Sequence, residues 1–357
     1  MAFRFRDILV LDDKSVDDSG TYTQDITVDA PITELTIDME LKNGTSIVHD
    51  EPVEKAISKI EIVDGGEVYW SLNGQEAVAA ACYDVGHWPT HRYQEGLSQM
   101  QRITIPMRFG RWLGDPLFAF TPSKLDNPQL KVTWAKASGH LTGSVTLGVW
   151  AKIMEDLAAP AACLFWKGVE ALTSAASGDT DVKLPHDYPY RRMMIRAYKS
   201  DTIPTNIITH VKLDCDMGKF VPVNLDIKEF RYLVQNRFGP YELKKMDHVS
   251  QNSYHQTWMA GDTFAEMAHE SVGQHSNAWA TGSIMYQQTE SVTADTRVEA
   301  LIWGYSPHST WCWPFGIDEE PETWFPTRDY GEEILWLTQG AASADISVAV
   351  QQPRPLP

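Results

Sequence analysis

Cysteine is scarce in this chain. Four residues in 357 (Cys82, Cys163, Cys215 and Cys312) are scattered with no C-x-x-C spacing. That excludes a disulfide-stapled scaffold, which belongs to small, Cys-dense secreted chains. Cys82 and Cys215 sit in apolar runs and read as buried free thiols. Long hydrophobic runs are also missing. No stretch approaches the ~18 apolar residues of a membrane-spanning helix, and MAFRFRDILVL at the N-terminus lacks the apolar core and cleavage site of a secretory signal. Basic residues are outnumbered, with 30 Lys and Arg against 48 Asp and Glu, a net charge of −18. Direct sequence-specific nucleic-acid binding is not expected, because it needs a cationic footprint to displace counterions from phosphates. There is no P-loop, no G-x-G-x-x-G after a strand and no G-x-S-x-G elbow. Helical signals are few and short.

What is present is alternation. Leu35, Ile37, Met39 and Leu41 alternate with polar residues, as do Ile103, Ile105, Met107 and Phe109. Leu130, Val132 and Trp134 follow, then Val145, Leu147 and Val149. The second half repeats the pattern at Met193, Ile195 and Ala197, at Leu301 and Trp303, and at Ile346, Val348 and Val350. A period of two marks half-buried strands. With 43% hydrophobic residues, the length suffices for two domains, each with its own core.

The chain also repeats an order of elements. Residues 59–86 and 210–239 both read as strand, Gly turn (Gly66, Gly218), strand, short helix and closing glycine (Gly86, Gly239). A period near 152 residues is a duplicated domain, because a solenoid unit recurs at ~20–50. The two helices are expected at Gln75–Tyr83 and Ile227–Asn236, with Asp226 as an N-cap for the second. The stretch Met154–Ala176 is helix-prone after Pro160 and reads as a partly helical connector. The domains are therefore expected at 1–155 and 181–357, with 156–180 between them. Long loops are expected at His87–Gln101, Met246–Asn277 and Trp311–Glu333. Asn43-Gly44 reads as a hairpin turn, and the Pro-rich Gln351–Pro357 as an extended tail.

The chemical constellations are weak. His87 and His91, with Asp84 nearby, have H-x-x-x-H spacing, but Pro89 between them argues against one helix face. Glu266, His269 and Glu270, with His275 beyond, fall in a long loop and read as solvated more readily than as a metal or acid–base site. Asp214 and Asp216 flank Cys215 on a strand, so both carboxylates should share one face. No catalytic, cofactor-binding or metal residue is expected, and no cofactor.

The stretch Ile103–Trp134 (ITIPMRFGRWLGDPLFAFTPSKLDNPQLKVTW) resembles the first jelly roll of double jelly-roll major capsid proteins of tailless icosahedral viruses. In that family a Pro-and-aromatic strand end, here Ile105, Pro106 and Phe109, leads into a loop. A Leu-Pro-type segment follows, here Pro116, Leu117 and Phe118, and then a strand at Leu130–Trp134. The duplicated unit fits a tandem of two such domains. The resemblance implies an all-β chain of two tandem jelly-roll sandwiches, each with a short helix. It implies a non-enzymatic protein forming homotrimeric, pseudo-hexagonal capsomers in an icosahedral virion assembled in the host cytoplasm. Implied partners are neighbouring capsomers, minor capsid or vertex proteins and an internal membrane. The aromatic loops Trp303–Trp313 and Trp324–Trp336 are candidates for the trimer centre or for the second core. Arg4 and Arg6 would face a membrane or a neighbour. The rival reading is a carbohydrate-binding or glycoside-cleaving sandwich, with Trp70, Trp112, Trp258 and Trp279 stacking on sugar rings.

Overall fold

The alternating segments become strands because one face of each must leave water, and they fold twice into the same eight-strand pattern. The computed structural model describes residues 3–45, 51–94, 98–200, 202–249, 254–258, 263–269, 277–281, 284–288 and 296–356, with side chains described outside 245–301. The first half supplies β1 (Arg4–Val16), β2 (Ser19–Asp25), β3 (Ile32–Lys42), β4 (Ile57–Asp64), β5 (Glu67–Leu72), a two-residue β6 (His91–Arg92), β7 (Met100–Arg108), β8 (Pro128–Ala135) and β9 (Val145–Glu155). They pair in the orders β1-β9-β3-β7-β6 and β2-β8-β4-β5.

The second half begins with β10 (Ala162–Thr173), β11 (Gly178–Lys183), β12 (Arg192–Tyr198), β13 (Ile208–Cys215) and β14 (Phe220–Asp226). An insertion follows, with β15 (Tyr241–Val249), β16 (Tyr254–Trp258), β17 (Thr263–His269), β18 (Asn277–Thr281), β19 (Ile284–Gln288) and β20 (Thr296–Gly304). The sandwich is completed by β21 (Thr310–Pro314), β22 (Glu333–Gln339) and β23 (Asp345–Pro355). Its sheets are β10-β23-β12-β21 and β11-β22-β13-β14. With β6 and the insertion set aside, each half places its first, eighth, third and sixth strands opposite its second, seventh, fourth and fifth. That is a jelly roll, made twice.

The helices repeat as the strands do. A single turn, α1 (Val53–Ala56), precedes β4, and α3 (Pro204–Ile207) precedes β13. The helices α2 (Gly74–Val85) and α4 (Ile227–Phe238) begin 153 residues apart, at 74 and 227. Their closing glycines keep that spacing, and both Gly86 (φ 79°) and Gly239 (φ 71°) hold the positive φ that only glycine adopts without strain. Only α2 has a full cap. Asn73 accepts from the Glu76 backbone, and Glu76 accepts from the Asn73 backbone. Asp226 does occupy the N-cap position of α4, but its carboxylate bonds His210 Nδ1 at 2.8 Å instead of the helix. Asn73→Ala should therefore cost about 1 kcal/mol, a drop of about 2 °C in Tm for a chain of this size. Asp226→Ala should cost α4 no cap. Thermal unfolding of both variants checks the contrast.

The core follows the alternation. Leu35, Ile37, Met39 and Leu41 on β3 are fully buried, with Ile37 opposite Ile105 on β7 and Val149 on β9. In the second sandwich, Met193 and Ile195 pair with Val350 and Val348. Phe109, Phe120 and Phe165 meet at centroid distances of 5.2–5.9 Å, so the Pro-aromatic segment plugs the first core.

Several expectations fail here. The stretch expected as a partly helical connector is mostly strand, since β10 and β11 occupy much of 156–180. Its composition suits a helix, but Cys163, Leu164, Phe165 and Trp166 are all buried against neighbours on both sides of the strand, and tertiary packing overrides propensity. The Pro-rich tail is not extended and free. It is the end of β23, with Pro353 opposite Leu164 and Pro355 opposite Ala162. Pairing of β23 with β12 stops at Gln351, so both prolines lie where the strand has one neighbour, and their missing N–H groups leave no gap in a ladder. Met246–Asn277 holds strands rather than a plain loop: β15 and β17 flank β20, and β19 lies between β16 and β18. Trp311–Glu333 begins within β21. His87–Gln101 contains β6 and the start of β7. Asn43 and Gly44 form no positive-φ hairpin turn. Gly44 N–H donates to Gly139 O at 2.8 Å, and Asn43 bridges His140.

Candidate functional site

Two lobes in one chain need a junction, and the junction is where this molecule concentrates its buried charge. Strand β12 is apolar on both faces except for its arginines. Arg191, just before it, is 1% exposed, and Arg192 and Arg196 are 5% exposed. Buried guanidinium groups need partners, and these come from both lobes. Arg192 donates to both oxygens of Asp318 at 2.9 Å and to Asp84, at the end of α2 in the first lobe, at 2.7 Å. Arg191 donates to Gln351 at 2.9 Å, to Asp318 O at 3.1 Å and to Arg111 O at 3.3 Å. Arg111 in turn forms a two-pronged pair with Asp115, at 2.7 and 2.9 Å, and donates to Glu319 O at 2.5 Å.

The electrostatics follow from the geometry. Burial lowers the proton affinity of Arg192, but Asp84 and Asp318 more than reverse it, so it stays charged. Burial, and then the charge of Arg192 beside it, pull Arg191 down to about 10. Burial alone would raise the carboxyl of Asp318, but its bonds and charge contact with Arg192 hold it below the usual range.

A second arm of the junction runs along α2. Gln75 accepts from Arg196 at 2.7 Å, and Glu76 accepts from the Ser347 hydroxyl. Tyr83 donates to Thr310 O at 2.7 Å. His308 enters the first lobe, with Nε2 2.9 Å from Glu54 and its ring 5.0 Å from that of Trp88. His308 and Ser309 both hold positive φ, at 50° and 59°, a strained backbone that persists only where packing fixes it. The lobes also share a sheet. Lys167 on β10 pairs in parallel with Ser71 on β5, and a Cβ on Gly168 would lie 3.3 Å from Ser71 O.

Among the described residues, those singled out from the sequence are not brought together into one site. His87 and His91 lie beyond the end of α2. Each bonds a nearby carbonyl through Nδ1, at 2.9 and 2.8 Å, while Asp84 belongs to Arg192. Asp214 accepts from Lys212 and from Gly218 N–H, whereas Asp216 accepts from Gly331 and Glu332 N–H. Both carboxylates are turn-holding groups. The side chains of Glu266, His269, Glu270 and His275 lie outside the described residues, as do those of Trp258 and Trp279. Trp70 is 2% exposed, and Trp112 is covered on one side by Arg111 at 4.2 Å. A cleft of about 760 Å³ lies where β1 turns into β2. Trp134 at its wall is 4% exposed and donates to Asp17 O, so it offers no free face for a sugar. Trp311 and Cys312 are fully buried and Trp324 is 3% exposed, so much of the aromatic loops fills the chain's own interior rather than an exposed trimer face. Arg4 and Arg6 pair with Asp156 and Glu155 of their own chain, at 2.9 and 3.0 Å. All four cysteines are free and buried, as Cys82 and Cys215 were expected to be. Among the described residues, no group of three or more His, Cys, Asp or Glu side chains is placed to hold a metal ion.

The duplicated strand order is matched in solved structures. The STIV major capsid protein superposes with a TM-score of 0.60 at 8% identity, over 99% of this chain and 97% of that one. The PBCV-1 capsid gives 0.57 at 11%, over 99% and 94%. The major capsid protein P2 of bacteriophage PM2 gives 0.56 at 8%, over 98% of each chain. The chain has the double jelly-roll fold of viral major capsid proteins. At these identities the likeness is one of fold. No family model matches the sequence, and no curated protein does. Within the double jelly roll, the Arg191–Arg192–Asp84–Asp318 network locks one roll to the other. Sequence reasoning missed it, although Arg-Arg-Met-Met-Ile-Arg at 191–196 places cations inside an apolar strand, where only buried partners make them tolerable.

Proposed function

We propose that this chain is a major capsid protein whose homotrimers form the pseudo-hexagonal capsomers of an icosahedral virus shell. The observation that carries the reading is the strand-for-strand duplication. Two equivalent lobes per chain give three chains six lobes, the outline a hexagonal lattice needs. The full-length likeness to the three capsid proteins supports it, because coverage above 90% of each chain leaves no large domain unmatched. The first lobe is residues 1–155, and the second runs from β10 onward. The role is structural and non-enzymatic. The partners are neighbouring capsomers, minor capsid or vertex proteins and an internal membrane, and assembly takes place in the host cytoplasm. A net charge of −18 keeps free capsomers apart until salt or a basic partner screens it.

Light scattering tests the reading. A trimer of 40.2 kDa chains has a mass of about 121 kDa and should show a hexagonal outline in negative stain. A 40.2 kDa monomer at micromolar concentration would overturn it.

A further inference from the structure

Glu333 opens β22 and is 1% exposed, yet among the described residues no other residue donates a hydrogen bond to its carboxyl oxygens. A buried carboxylate without donors is costly when charged. Its place in the fold gives that cost a consequence. Glu333 stands opposite Cys215 on β13, and Cys215 stands opposite Phe220 on β14. The three form one row across three strands at an end of the second sandwich.

An aromatic ladder closes this end. Phe220, 44% exposed at the rim, stacks on Tyr330 at 5.6 Å and on Phe325 at 6.4 Å, and Phe325 stacks on Tyr190 at 5.6 Å. Asp216, beside Cys215, ties the loop to the strand end through Gly331 and Glu332 N–H, at 2.7 and 3.2 Å.

We propose that Glu333 makes this end of the second sandwich a proton-operated clasp, closed while the carboxyl is protonated and loosened when it is charged. Its own backbone N–H favours the charged form but is outweighed, and the other groups around it favour the neutral form or are already engaged. From β13 and its turn come Asp214, Cys215 and Asp216. From the loop and β22 come Asp329, Tyr330 and Glu332, and Tyr190 comes from the segment before β12. The nearby cations are taken: Lys219 pairs with Asp216 at 3.4 Å, Lys183 with Glu332 at 2.9 Å and Lys212 with Asp214 at 2.6 Å. Burial first, and then Asp216 and Glu332, push the Glu333 carboxyl up to about 7 from the ordinary 4.5.

A carboxyl raised in the closed state binds its proton more tightly there than when opened to water. Its contribution to closure is full below pH 4.5 and is lost as pH rises through about 7. The opening equilibrium should rise about 30-fold between pH 5.5 and 8.5.

Cys215 reports this directly, because its thiol is buried in the same row. Thiol labelling of the full chain, normalised to the rate of an unstructured cysteine peptide at each pH, gives a protection factor. Cys215 should lose protection about 30-fold over that range, while Cys82, Cys163 and Cys312 serve as internal controls. In Glu333→Gln the profile at Cys215 should be flat. A flat wild-type profile would overturn the proposal, as would a Glu333→Gln profile that keeps the fall, or an equal fall at all four thiols. Amide exchange at 330–335 in the wild type gives a readout that needs no variant: pH-independent protection there would also overturn it.

Discussion

Replacing Arg192 with alanine should destabilise the chain by about 3–5 kcal/mol, the range for removing one member of a buried charge network. The loss of three hydrogen bonds is the smaller part. The larger part is what stays behind: Asp84 and Asp318, both nearly inaccessible, facing an emptied site, with Arg191 4.0 Å from Asp84 and Arg237 and Arg191 at 3.6 and 3.7 Å from Asp318. The loss has a pH signature. Asp318 is held below the usual carboxylate range in the native chain, so its contribution is present at neutral pH and lost as pH falls through its folded value. In Arg192→Ala only the charges of Arg191 and Arg237, at 3.7 and 3.6 Å, remain to support it among the described residues, and burial favours the protonated acid. The gap between variant and wild type should therefore be widest near pH 7 and narrow towards pH 4. Urea unfolding at both pH values measures it. A variant within 0.5 kcal/mol of wild type at pH 7 would show that the network does not lock the lobes.

The second large effect concerns the end of β23. Ending the chain after Val350 should remove at least about 5 kcal/mol, a large share of the 5–15 kcal/mol that stabilises folded proteins. Five residues of β10, Ala162 to Trp166, would lose their partners, at about 1 kcal/mol for each net hydrogen bond. Leu356, 6% exposed, would lose about 2 kcal/mol of burial. Arg354, which donates to Val68 O at 2.9 Å and covers the Tyr69 ring at 4.6 Å, would no longer hold the second lobe to the first. The truncated chain should be found in the insoluble fraction. A soluble, cooperatively unfolding product would contradict the assignment of this segment to the sheet.

Strand alternation at Leu35–Leu41 and Ile103–Phe109 was legible because each strand buries one face, and a period of two survives any loop length. The duplication was legible because Gly86 and Gly239 close the two helices at the same spacing, each with a positive φ. The tail was misread because proline is a general strand breaker, and whether it is tolerated depends on a neighbour strand that no local pattern reveals. The 156–180 stretch was misread because AAPAACLFWKGVEAL favours a helix on propensity alone, while its burial is decided by β23, some 180 residues away. The arginines of the junction were unreadable for the same reason: Asp84 and Asp318 lie more than a hundred residues to either side of Arg192.

The pairing of Lys167 with Ser71 joins two four-stranded sheets into one of eight strands, β2-β8-β4-β5-β10-β23-β12-β21. Mechanically, the two lobes are then one plate without a hinge. A load that tries to fold the lobes towards each other acts on the β5–β10 seam and on the contacts of Arg354 with β5. Bending of a larger assembly would therefore be taken up between chains, and each chain would tilt as a rigid tile.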